Sequence, residues 1–136
     1  MTYFLAKTEP STYSIDRLRQ DIKTTWDGVK NPQAVRAIRE MRTGDRVFIY
    51  HTGGESAIVG LAEVLSSPAP DPNEPKSFVV DLKYVNHLTP PTTLFDVKQS
   101  KLFEDFALVR QGRLSTMTAP DTFVNWMRER YPKTKI

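Results

Sequence analysis

Trp26-Asp27-Gly28-Val29-Lys30-Asn31 brings a flat indole, a glycine turn and a side-chain oxygen to the start of a helix. An indole face suits a planar heterocycle, and a helix N-terminus offers unpaired N–H groups and positive potential to an attached phosphate. The same residues also fit a plainer use, in which Trp26 belongs to the core and Asn31 only caps the helix. A second cluster, Tyr50-His51-Thr52-Gly53-Gly54, ends a strand, where hydroxyls and an imidazole can read hydrogen-bonding edges. The alternative is that His51 is a surface or capping group. In a third, Leu108-Val109-Arg110-Gln111-Gly112-Arg113-Leu114-Ser115, two arginines flank a glycine turn. Arginine grips phosphate with a planar fork or stacks on a base, and the alternative is a solvated hairpin tip. Lys7 and Glu9 share a face of the first strand, either for a ligand or as an ion pair of little worth.

Other chemistries find little support. The chain has no cysteine, which removes disulfides, cysteine zinc sites, iron–sulfur sites and thiol nucleophiles. Its two histidines, His51 and His87, have no metal-ligand spacing. Neither a phosphate-binding glycine loop nor a Gly-x-Ser-x-Gly elbow occurs. Asp27, His51 and Ser115 can be drawn as a triad, but no spacing singles them out. No catalytic residue, metal or cofactor is expected.

Tyr3–Ala6, Arg46–His51, Ala57–Leu65 and a segment through Phe78, Val80, Leu82, Tyr84 and Leu88 have strand character, and a last short strand starts near Leu114. Ala57–Leu65 is apolar on both faces and is expected at the centre of the sheet. Ser14 N-caps a helix from Ile15, and Asn31-Pro32 opens another with proline in the first turn. Leu94–Gln99 gives one or two helical turns, and Thr118-Ala119-Pro120-Asp121 starts the last helix. Prolines 68, 70, 72 and 75 make a rigid surface loop. The fold class is α+β: a small, curved, mostly antiparallel sheet with short helices against it.

At 136 residues, with 39% apolar and 26% charged residues, the chain fits one globular domain over 1–136. Charge is uneven. Residues 1–46 carry a net +3, residues 47–97 a net −4 and residues 98–136 a net +4. If the two ends meet, they make one positive face. No apolar run approaches the ~20 residues that span a bilayer, and Lys7 and Glu9 interrupt any signal-peptide core. A cytoplasmic protein with no membrane partner is expected.

In order, these segments resemble the EVE domain family of the PUA-like superfamily, which also holds the YTH and ASCH domains. The resemblance runs from about Tyr3 to Trp126. It rests on Tyr3–Ser11, Trp26–Asn31, Met41-Arg42-Thr43-Gly44-Asp45, Tyr50-His51-Thr52, Ile58–Val64, Pro70-Asp71-Pro72 and Leu108–Ser115. It implies a PUA-like pseudo-barrel of five or six mostly antiparallel strands with flanking short helices. It also implies a pocket for a flipped, modified nucleobase in DNA or RNA. On that likeness Trp26 forms an aromatic wall, Val29, Lys30 and Asn31 line the pocket, and Lys7 sits at its rim. Thr52 and Ser115 offer hydrogen bonds, with Tyr50, His51, Arg113 and Leu114 beside them. The chain departs from the pattern at Lys30, where arginine is usual, at Pro32, where an aromatic is common, at Thr52 for serine and at Thr116 for valine. A second aromatic beside Trp26 must then come from elsewhere, such as Tyr50 or Phe4.

The function expected is a non-catalytic, monomeric reader of a modified base in DNA or RNA. The alternatives are an enzyme acting on a nucleotide or modified base, with His51 as acid or base, and a small-molecule or protein-interaction module on the same fold.

Overall fold

The computed structural model describes residues 1–136. Twelve elements follow in order: β1 (Tyr3–Thr8), α1 (Ile15–Asp21), β2 (Lys23–Trp26), α2 (Pro32–Arg39), β3 (Arg46–His51), β4 (Ala57–Val64), β5 (Ala69–Asp71), β6 (Glu74–Thr93), α3 (Leu94–Ser100), α4 (Ala107–Arg110), β7 (Thr116–Thr118) and α5 (Asp121–Arg130). The sheet has seven strands in the order β2-β6-β4-β3-β1-β7, with β5 pairing β6. Only β1 and β3 run parallel; the other pairs are antiparallel.

Seven strands replace the five or six expected. Two were hidden for physical reasons. β2 buries only Trp26, so it has no apolar alternation to reveal it. β5 lies inside the proline-rich stretch, where a short edge strand tolerates Pro70 because its missing N–H leaves no ladder bond unmade. β4, apolar on both faces, is central as its pattern implies.

β2 and β7 lie at opposite ends of the strand order, yet Trp26 and Ser115, the residue before β7, line one cavity. The sheet curls far enough to bring its two ends together, and that curl makes the site. One continuous core fills the inside, from Phe4 and Leu5 of β1 through Ile58 and Leu61 of β4 to Phe123 and Met127 of α5.

Gly60 shows how tightly α1 seats on the sheet. A Cβ built there meets the Ile15 side chain at 2.5 Å and the Asn86 carbonyl oxygen at 3.0 Å. Gly60→Ala must push the helix or β6 outward, and overpacking of this kind costs roughly 1–3 kcal/mol. Urea unfolding should show that loss; an unchanged midpoint would mean that α1 rides loosely on the sheet.

Candidate functional site

The local chemistry at the start of α2 decides what the turn before it can bind. Asn31 N-caps the helix, and its Oδ1 accepts from the Gln33 and Ala34 N–H groups at 2.8 and 3.2 Å. Pro32 has no N–H, and the Val35 N–H bonds to the Asn31 carbonyl at 2.9 Å. The early amides of this helix are therefore spent, and the expectation that they would hold a phosphate is corrected.

The turn ahead of the helix lines a cavity of about 390 Å³. Trp26, Asp27, Gly28 and Val29 form one wall, with Thr24 and Thr25 of β2 beside them. Thr12 and Tyr13 approach from the loop before α1, and Lys7, Thr8 and Ser115 close the far side. Gly28 has φ of 77°, a conformation that glycine adopts without the steric penalty of a side chain. Trp26 itself is 8% exposed. Tyr13 meets it edge-on, with ring centroids 6.3 Å apart and planes at 88°. Tyr13 is thus the second aromatic, and the expectation of Tyr50 or Phe4 is corrected: neither lines the cavity. The crossed planes give one aromatic wall rather than two parallel faces.

Lys7 is the cation of this cavity. Its Nζ donates to the Gly112 carbonyl at 3.0 Å and lies 5.3 Å from the Tyr50 ring centre. It pairs with no carboxylate, because Glu9 turns away and accepts from Thr52 Oγ1 at 3.2 Å. Burial lowers the Lys7 pKa from its ordinary value. A half-buried ammonium without a counter-ion is placed to receive an anionic or acceptor group of a ligand.

Of the residues expected at the site, Lys7, Trp26, Val29 and Ser115 line the cavity. Lys30 opens instead onto a neighbouring groove. Tyr50 lies beneath Lys7, Thr52 is held by Thr8 and Glu9, and Arg113 is exposed in its turn. Leu114 is buried and lines a different cavity, between α2 and β7. The third cluster is no hairpin tip either: its first half is the short helix α4, in which Arg110 pairs with Asp105 at 3.2 Å.

His51 is corrected as a base-reading residue, since it lines no part of the cavity, and the structure gives it the alternative role of a capping group. Its imidazole is buried, and Nε2 accepts the Ile15 N–H at 3.0 Å, satisfying a donor at the start of α1. That role needs the neutral ring with its proton on Nδ1. Burial lowers the His51 pKa below its usual value. The unfolded chain therefore takes up this proton first as pH falls. The stability it contributes is full above about 6.5 and is lost as pH drops from there through the lower folded value. Thermal unfolding between pH 7.5 and 5.0 should show a falling midpoint. In His51→Gln, which keeps an acceptor but does not titrate, the fall should shrink. Equal slopes in the two proteins would remove His51 from the account.

Sequence reasoning missed the threonines, Tyr13, Asp27 as a lining group, and Ser77. Ser77 is buried on β6 and donates its hydroxyl to the Val29 carbonyl, fixing the cavity wall to the sheet. Nothing in the order of residues pairs positions 29 and 77. Tyr13 did leave a trace, since it directly precedes the Ser14 cap, where an aromatic often packs on the fold.

Several known proteins share this fold. Rpa0253 from Rhodopseudomonas palustris, solved by NMR, is 32% identical and superposes with a TM-score of 0.90, covering 100% of this chain and 97% of that one. Thymocyte nuclear protein 1 of Mus musculus is 28% identical over 85% of this chain, and the match spans 62% of the mouse protein's length. The crystal structure of human THYN1 in complex with 5-methylcytosine-containing DNA superposes with a TM-score of 0.88 at 22% identity, covering 99% of this chain and 100% of that one. The EVE domain family model matches residues 2–130. With nearly its whole length matched and a PUA-like fold around the Trp26 cavity, the chain belongs to the EVE domain family.

Proposed function

We propose that this chain is a non-catalytic DNA-binding module that takes an extruded, modified base into the Trp26 cavity. The observation that carries the reading is the meeting of three kinds of group on one cavity: an indole wall, an ammonium without a counter-ion and several hydroxyls. Stacking on an aromatic contributes ~1–3 kcal/mol per base, enough to offset much of the few kcal/mol that extrusion costs. Thr12, Thr24 and Ser115 can donate to or accept from a base edge; Thr8 and Thr25, whose hydroxyls donate to the Tyr13 carbonyl and to Asp81 Oδ1, both at 2.8 Å, can only accept from it; and Asp27 can accept from an exocyclic amine. The human relative's complex with 5-methylcytosine-containing DNA supports DNA as the partner and a methylated cytosine as the first base to test.

A role in catalysis has less support. His51, the acid or base on which the enzyme alternative rests, spends its Nε2 on α1 and lines no part of this cavity.

The test is a titration of the protein with duplexes that differ only in one 5-methylcytosine, alongside a single-stranded RNA of the same sequence. Tighter binding of the methylated duplex is expected, with both strands of the duplex recovered unaltered. Equal affinity for the two duplexes would sink base recognition. Release of a base, or preferential binding of the RNA, would replace the reading with another.

A further inference from the structure

Lys30, Arg36, Arg39 and Lys76 line a groove of about 310 Å³ with Pro32 and Val35 between them. All four cations are exposed, and none forms an ion pair. Elsewhere Arg17, Arg46, Arg110 and Arg130 each pair with a carboxylate. No carboxylate lines this groove. Lys76 is one of only two cations in the acidic stretch 47–97, and β6 delivers it here. Arg39 lies with its guanidinium 4.8 Å from the Phe78 ring centre, which holds it in place without neutralising it. Four cations held together without counter-ions repel one another, so the arrangement favours an anion with several charges in a row.

The groove adjoins the cavity. Val29 lines the cavity and Lys30, the next residue, lines the groove. The α2 amides are already satisfied by Asn31, so the positive potential here belongs to side chains. We propose that this groove carries the phosphodiester backbone that flanks the base held at Trp26, with Lys30, Arg36, Arg39 and Lys76 contacting successive phosphates. The inference rests on the DNA-binding reading above, and it assigns the phosphate contacts to the groove and the base preference to the adjoining cavity. Phosphate contacts position a nucleic acid and carry no sequence information, so the two properties should separate on mutation.

Arg36→Gln with Lys76→Gln tests this, since both side chains are exposed and Arg39 keeps its place on Phe78. Affinity for methylated and unmethylated duplexes should fall by the same factor, about tenfold, and the preference between them should survive. The plot of log affinity against log salt should flatten by about 2, one unit per lost contact. Should the double variant melt early, Lys30→Gln with Lys76→Gln is the second pair, with the same expected result. Wild-type affinity and slope in a folded variant would overturn the groove while leaving the base reading intact. Loss of the methyl preference with an unchanged slope would overturn it as well. A wild type that binds both duplexes equally, with the slope still flattened in the variant, would sink base recognition alone. No binding by the wild type would sink both.

Discussion

Replacing Trp26 with leucine is expected to weaken binding of a methylated duplex by roughly 5- to 150-fold, the range that corresponds to ~1–3 kcal/mol of stacking. Leucine is the right probe because Trp26 is almost fully buried. Alanine would also leave a void in the core, at a cost of ~3–5 kcal/mol, and the loss of fold would mask the loss of binding. Trp26→Phe keeps a π face and should lie within a few-fold of the wild type. Neither change removes a charge, so the salt slope should stay where it was, unlike that of the groove variants. Fluorescence anisotropy of a labelled duplex reads the affinities, and circular dichroism shows that each variant is folded. A folded Trp26→Leu protein that binds the methylated duplex as tightly as the wild type would take the indole out of the site.

The fold was legible where its signals are local. Ser14 and Asn31 cap their helices because a short polar side chain reaches the amides two or three residues on, a relation confined to neighbouring residues. β4 could be placed at the centre because both of its faces are apolar. The cavity was legible only in part. Trp26 and Lys7 announce themselves by residue type, but Thr24 and Thr25 look like ordinary surface residues of a polar edge strand. They matter because the sheet curls and brings β2 opposite Ser115, and that closure is a property of the whole sheet. His51 misled for the converse reason. A titratable residue at a strand end has the right type for chemistry, while its real partner, the Ile15 N–H, lies 36 positions earlier. The four cations of the groove come from α2, the turn before it and β6, and no run of basic residues marks them in the sequence.

Phe123→Ala is expected to have the largest effect on stability and none on recognition. Phe123 on α5 is fully buried, with ring centroids of Phe106, Phe103, Phe48 and Trp126 at 4.8, 5.3, 5.7 and 5.9 Å. It is the ring on which β3, α5 and the segment before α4 converge. Truncation removes those contacts and leaves a void that rigid neighbours fill poorly, at a cost of ~3–5 kcal/mol. A domain of this size has ~5–15 kcal/mol in all, so the variant should unfold at a much lower urea concentration. Neither the Trp26 cavity nor the basic groove includes Phe123 or any residue of its cluster. At a temperature where the variant is still folded, its affinity and its preference for the methylated base should match the wild type. Stability and recognition would then be separable, with Phe123 and Trp26 marking the two ends of one core. A Phe123→Ala protein that is folded but has lost the base preference would mean that the packing around α5 sets the shape of the cavity across the sheet.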